Sequence, residues 1–202
     1  MSIEFFFDVS SPWTYLAFHN LQKMVAELSL EVDYKPVLVG GIFNAANPSV
    51  YAFRESGPPA KKAYLTKDLA DWASQAGLKI LWPPTVFPVN SVKAMRGCLW
   101  LEPRGGLLPF ARAVFEAYWR DDRDISQDAV LASICADLGI DAEAFLAGIA
   151  QAEIKAALKA NTDEVIARGG FGSPTIFVNG SDMYFGNDRL PLVREALLRL
   201  RA

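Results

Sequence analysis

The sequence predicts an α/β chain in which a βαβ unit at the N-terminus and a ββα unit at the C-terminus enclose a long helical middle. Three observations carry this. The run Ile3-Glu-Phe-Phe-Phe7 is apolar, has strand length and stops at Asp8, Ser10 and Ser11, all turn and cap formers. Beyond it Trp13, Leu16, Ala17, Leu21, Met24, Val25 and Leu28 recur every three or four residues, the period of an amphipathic helix. Near the other end, two short strand-like runs, Thr175 to Val178 and Met183 to Phe185, flank Asn179-Gly180, a dipeptide that favours a tight hairpin.

In chain order, Pro12 suits the first position of the first helix, because its fixed φ is already helical and its missing N–H would be unpaired there anyway. Ser11 is then the expected N-cap. Strand Glu31-Val-Asp-Tyr-Lys-Pro-Val-Leu38 completes the βαβ unit. Helices follow at Pro59 to Ala76 closed by Gly77, Asn90 to Leu101, Leu107 to Arg120, Ser126 to Leu138 closed by Gly139, and from Asp141 onward. Two Pro-rich breaks, Trp82 to Pro88 and Glu102 to Pro109, interrupt them. After the hairpin a last helix begins near Gly186-Asn-Asp-Arg189 and carries Leu190, Val193, Ala196, Leu197 and Leu200 on one face. This is a thioredoxin-like fold with a large all-helical insertion. Residues 1–40 and 166–202 form the thioredoxin-like domain, and residues 41–165 form the insertion.

Composition narrows the class of function. At 202 residues and 51% hydrophobic content the chain has enough apolar material for a continuous core. A net charge of −3 with no basic run argues against nucleic acid as a partner. No stretch approaches the roughly 20 apolar residues of a membrane helix, and the N-terminus opens on a strand containing Glu4 rather than a signal segment, which predicts a soluble cytoplasmic protein. Cys98 and Cys135 are far apart with no CxxC, predicting no structural disulfide. The one histidine, His19, has no ligand cluster at metal spacing, so no metal site is expected, and it fits a surface, interface or minor pocket role.

Ser11 stands where thioredoxin-type enzymes carry a reactive cysteine, and a serine cannot exchange disulfides. An N-cap serine ordinarily just satisfies a backbone N–H, worth about 1 kcal/mol. Four segments point further: Phe7-Asp-Val-Ser-Ser-Pro-Trp-Thr-Tyr-Leu16; Pro59-Ala-Lys-Lys-Ala-Tyr64 with Asp68-Leu69; Phe87-Pro-Val-Asn-Ser91; and Phe171-Gly-Ser-Pro-Thr175 with Phe185-Gly-Asn-Asp-Arg-Leu190. Together and in this order they resemble the kappa-class glutathione transferases and the glutathione-dependent 2-hydroxychromene-2-carboxylate isomerases, over essentially the whole chain. Gly186-Asn-Asp-Arg-Leu190 looks more like the isomerases.

The resemblance implies glutathione as cofactor and gives residue roles. Ser11 matches the serine that hydrogen-bonds the glutathione sulfur, at a helix start whose dipole also favours thiolate. Pro174 matches a cis-proline, which would present the backbone of Ser173 to the cysteinyl segment; an ordinary trans turn is the alternative. Asn187 and Asp188 match the residues that hold the γ-glutamyl end, with Asp188 also a suitable N-cap for the last helix. Lys61 and Asn47 match residues that reach the glycyl carboxylate and peptide backbone, and Lys61 could be exchanged for Lys62. Asn90 and Ser91 could cap the helix that follows them.

Three readings of activity follow. In the first, glutathione isomerises 2-hydroxychromene-2-carboxylate to trans-o-hydroxybenzylidenepyruvate by reversible thiolate addition, in aromatic catabolism. Its second-substrate pocket, lined by aromatics such as Trp13, Phe43, Trp82, Phe87 and Tyr184, would need a cation for the substrate carboxylate; Arg54, Lys93 and Arg96 are the candidates. The second is a kappa-like glutathione transferase acting on small electrophiles, with an apolar pocket. The third, a DsbA-like oxidoreductase or peptide-binding module, is disfavoured as a redox enzyme by Ser11 and Thr14 in the two CxxC positions. The resemblance also implies a homodimer.

Overall fold

A computed structural model describes residues 2–201. Its sheet has four strands in the order β2-β1-β3-β4: β1 (Ile3–Phe7), β2 (Asp33–Pro36), β3 (Thr175–Val178) and β4 (Asp182–Phe185). β1 runs parallel to β2 and antiparallel to β3, with Phe5 opposite Ile176, and β3 pairs antiparallel with β4. This is the predicted thioredoxin-like arrangement. The hairpin turns through three residues, Asn179 to Ser181, of which Asn179 and Gly180 take positive φ (51° and 84°). β2 is shorter than its apolar run suggests. Val37 N still donates to Phe7 O, but the chain turns at Leu38 into a helix, and Pro36 is tolerated because β2 lies on an edge.

Helix α1 (Pro12–Leu28) connects β1 to β2, and its N-cap is Ser11, whose side chain accepts from Thr14 N. Eight helices then precede β3: α2 (Val39–Ala46), α3 (Ser49–Ser56), α4 (Pro59–Ala76), α5 (Val92–Leu101), α6 (Leu107–Trp119), α7 (Asp128–Asp137), α8 (Ala142–Gly148) and α9 (Ala152–Ala167). α4 has the predicted bounds because both stop signals are local: Pro59 opens it and Gly77, at φ 71°, closes it. α2 and α3 have no counterpart among the predicted helices. The segment expected to continue from Asp141 is two helices, α8 and α9, of which Asp141 caps the first through Glu143 N and Ala144 N at 2.9 and 3.0 Å.

Asp188 does not cap the last helix. A 3-10 turn at Asn187–Arg189 comes first and α10 (Leu190–Arg199) starts after it, so Arg189 takes the cap position without a side-chain bond. Asp188 instead pairs with Arg189 at 3.0 Å. At the other expected cap, Asn90 Oδ1 accepts from Val92 N at 3.0 Å, ahead of α5.

The main core is continuous across sheet, α1 and insertion. Phe5, Phe7 and Phe18 pack with Phe115, whose ring also stacks on Tyr15 at 5.1 Å, and the same apolar cluster extends to Phe110, Phe145 and Trp119. The other face of the sheet is covered as well, by a smaller cluster in which Phe6 and Phe177 pack on Ile42 of α2 and Val165 of α9. The Ser173–Pro174 bond is cis, as are Trp82–Pro83 and Phe87–Pro88, two that the sequence had not singled out. Cys98 and Cys135 are free and buried. No described helix is long and apolar enough to cross a membrane.

Candidate active site

The turn between β1 and α1 is pinned at almost every backbone group. Asp8 N donates to Ser173 Oγ at 2.9 Å, Val9 N to Met95 Sδ at 3.4 Å, and Ser10 N to Asp8 Oδ1 at 2.9 Å. Trp119 Nε1 donates to Val9 O at 2.8 Å in the interior. The other Asp8 oxygen accepts from Val39 N at 2.8 Å, so one carboxylate holds both the turn and the start of α2. Burial pushes the Asp8 carboxyl above its ordinary range, and the N–H groups of Ser10 and Val39 with the Ser91 hydroxyl only partly offset this.

Held by that turn, Ser11 sits at the N-terminus of α1. Its Oγ accepts from Thr14 N and donates to Ser173 O, both at 3.3 Å. Such bonds are long for a hydroxyl, whose usual donor distance is about 2.7–2.8 Å, so Ser11 can redirect its proton to another acceptor at small cost. Thr14 Oγ1 lies 2.9 Å from Ser173 Oγ, joining α1 to the loop before β3. The two positions of a would-be CxxC therefore hold hydroxyls that bond the Ser173 segment.

Ser11 opens onto a cavity of about 300 Å³ whose walls come from α1, α2, α3, α4, the proline-rich loop of residues 82–88, Ser173 and Phe185. Of the aromatics expected there, Trp13, Phe43, Trp82 and Phe87 line it; Tyr184 does not. Tyr184 follows the strand alternation to the other side, bonding Asp182, while its neighbour Phe185 faces the cavity. Asn47 lines the same space and donates to Phe171 O at 3.3 Å. Trp82 stacks on Trp119 with ring centroids 6.1 Å apart, linking the wall to the residue that anchors Val9.

Among the three candidate cations, Arg54 alone lines the cavity. Its guanidinium lies over the Phe43 and Phe87 rings at 5.5 and 5.4 Å and makes no hydrogen bond or ion pair among the described residues. Lys93 is bound to Asp128 at 2.7 Å, and Arg96 lies on α5 off the cavity. Lys62 Nζ bonds the carbonyls of Arg54 and Glu55 at 2.9 and 3.3 Å, fastening the end of α3. Lys61 makes no hydrogen bond or ion pair through its side chain among the described residues and borders an apolar hollow with Phe53 and Tyr64, just outside the cavity wall that Phe53 shares.

Asn187, Asp188, Ser173 and Pro174 line a second hollow that meets the first at Trp13, Ser173 and Phe185. A family model of the DSBA-like thioredoxin domain matches residues 2–198. The chain belongs to that family. A 2-hydroxychromene-2-carboxylate isomerase of Pseudomonas putida is 29% identical over 202 residues, covering 99% of this chain and 96% of the relative. The glutathione S-transferase kappa 2 of Caenorhabditis elegans is 26% identical over 208 residues, covering 96% and 91%. A solved structure of 2-hydroxychromene-2-carboxylate isomerase superposes with a TM-score of 0.83 at 27% identity, covering 99% of this chain and 96% of that one.

Within this DSBA-like frame, sequence reasoning missed Asp8, Met95 and Trp119. Asp8 read as a turn former, which it is, but its bond to Val39 depends on α2. Met95 and Trp119 sit on apolar helix faces where nothing distinguishes them from other core residues. A polar ring nitrogen on the apolar face of α6 was the available sign that Trp119 needed a specific acceptor.

Proposed function

We propose that this protein binds glutathione along the Ser11–Ser173 junction and uses it to isomerise a small aromatic carboxylate of the 2-hydroxychromene-2-carboxylate type. The observation that carries this is Arg54: an unpaired cation in the same cavity as Ser11, held between aromatic rings. The donor set also fits glutathione. Ser11 offers a loosely held hydroxyl and a helix start, both favourable to a sulfur anion. Asn187 offers a buried amide Nδ2 without a partner among the described residues, as a ligand-facing donor would.

When bound, glutathione supplies the thiolate that adds reversibly to the unsaturated skeleton of the substrate and leaves after a bond rotation. The remaining work falls to the protein. Ser11 donates to the sulfur and lowers the cost of its ionisation. The backbone of Ser173 pairs with the cysteinyl segment, Asn187 and Asp188 hold the γ-glutamyl end, and Asn47 and Lys61 reach the peptide and glycyl end. Arg54 clamps the substrate carboxylate while Trp13, Phe43 and Phe87 flank its ring, which orients the reacting carbon toward the sulfur.

The test is ultraviolet turnover of 2-hydroxychromene-2-carboxylate with and without glutathione, on wild type and Ser11→Ala. Glutathione-dependent turnover that collapses in the variant supports the reading. Tight glutathione binding without turnover would favour a kappa-like transferase, for which the otherwise apolar walls of the cavity also suit an aromatic electrophile. Absence of glutathione binding would contradict both.

A further inference from the structure

The loop between α4 and α5 supplies two walls of the cavity, Trp82 and Phe87, and the Arg54 guanidinium lies over the Phe87 ring at 5.4 Å. It has little means of holding itself. Three of the eight residues from Leu81 to Pro88 are proline and donate no backbone hydrogen bond, and Leu81, Trp82, Thr85 and Val86 are exposed. Its anchors lie at the end of α6 instead. Leu81 N donates to Trp119 O at 2.6 Å, and the Tyr118 hydroxyl donates to Val86 O at 2.7 Å. Thr85 N donates to Asp122 Oδ1 at 2.7 Å, and the Thr85 hydroxyl to Asp122 Oδ2.

Tyr118 and Trp119 are core residues, so their anchoring comes with their packing. Asp122 is different. It is exposed, does not line the cavity and makes no ion pair among the described residues, and Thr85 engages both of its oxygens. It also stands at φ 55°, in the left-handed region, where Arg123 N turns back to Ala117 O at 2.9 Å and closes α6. A helix-closing position of this kind favours glycine, and a β-carbon there is unfavourable. The clamp on Thr85 offsets that. The same two donors hold the Asp122 carboxyl below its ordinary range, so it is an ionised acceptor at neutral pH.

We propose that Asp122 is a positioning residue for the second substrate: by clamping Thr85 it fixes the loop that sets Trp82 and Phe87, and with Phe87 the seat of Arg54, against the aromatic carboxylate. This rests on the isomerase reading above and adds to it a residue that touches neither ligand. Ser11, Ser173 and Asn187 lie on other segments, so glutathione affinity does not depend on the clamp.

The experiment compares wild type with Asp122→Gly, which suits the backbone and removes both bonds, and with Thr85→Ser, which keeps them. Amide hydrogen exchange of residues 81–88 by mass spectrometry, calorimetric titration with glutathione and steady-state kinetics on 2-hydroxychromene-2-carboxylate are read in parallel. Asp122→Gly should speed exchange of the loop about tenfold, as the loss of two hydrogen bonds implies. It should also lower kcat/KM by about tenfold through misplaced walls, with the glutathione Kd unchanged and Thr85→Ser like wild type throughout. Unchanged exchange in Asp122→Gly would overturn the clamp. Faster exchange with unchanged kcat/KM would overturn the positioning role, and so would a matching loss of glutathione affinity, the mark of a general structural effect. Absence of wild-type turnover would overturn the isomerase reading and this role with it, whereas the other failures leave that reading intact.

Discussion

Arg54 carries its charge without an ion-pair partner among the described residues, with two aromatic rings rather than a carboxylate beside it. A guanidinium so placed keeps its fork of donors for a ligand, and aromatic contact costs it little of its hydration. Arg54→Gln is therefore expected to raise KM for a carboxylate substrate by about tenfold or more, with the glutathione Kd unchanged; steady-state kinetics alongside calorimetry separates the two. Arg54 was named from the sequence together with Lys93 and Arg96, and residue type could not choose among them. The choice depends on α3, a short, mostly exposed helix between Pro48 and Pro58. By contrast the cap position of Ser11 was legible from one turn of chain, because a cap, a proline and an apolar stripe are all local, whereas its place in a site came from the family resemblance.

At the scale of elements, the inserted helices keep the site in register through close packing. Gly97 lies on the buried face of α5, where an added Cβ would meet Phe145 Cζ at 2.6 Å and Phe110 Cε1 at 2.7 Å. Both rings are fully buried and have little room to yield. Overpacking of this kind costs about 1–3 kcal/mol, against about 1 kcal/mol that alanine gains over glycine in a helix. Gly97→Ala should accordingly lower Tm by a few degrees in thermal unfolding followed by circular dichroism; an unchanged or higher Tm would show that the rings move. The same dependence on partners explains what the sequence withheld. α4 carries its own caps and was read to the residue, whereas the break between α8 and α9 falls where Gly148 lies against Trp100, so close that a Cβ would reach its indole nitrogen at 2.1 Å. No local pattern announces such a contact.

For the whole molecule, an ion network ties the sheet to the last inserted helix. Arg168 bonds Glu4 at 2.9 and 2.6 Å, Glu164 at 2.6 Å and Gly180 O at 3.0 Å, while Lys35 lies 2.9 Å from both Glu4 and Glu164. It thereby joins β1, β2, α9 and the β3–β4 hairpin. The Arg168 hydrogen bond holds the Glu4 carboxyl down at about 2, against the opposing effect of partial burial and with help from Lys35. A carboxyl depressed in the folded state stabilises fully above its unfolded value of 4.5 and loses that stabilisation as pH falls toward 2. The contribution is at most about 3 kcal/mol. Urea unfolding should show wild type losing stability through this window and Glu4→Gln losing distinctly less; parallel losses would remove Glu4 from the account. The fold was legible at this scale because the βαβ and ββα ends each have local patterns. The shared core, the ion network and the joining of Ser11 to Ser173 were not, since each depends on residues more than a hundred positions apart.

The central claim is that Ser11 and the start of α1 activate a thiol the protein does not itself possess. It is tested most directly by titrating the ultraviolet thiolate absorbance of glutathione bound to wild type and to Ser11→Ala. The account predicts an apparent pKa clearly below the free-thiol value of about 8.5 in wild type, rising toward that value in the variant. A bound thiol that ionises at the free value in wild type, or equally in both proteins, would contradict it.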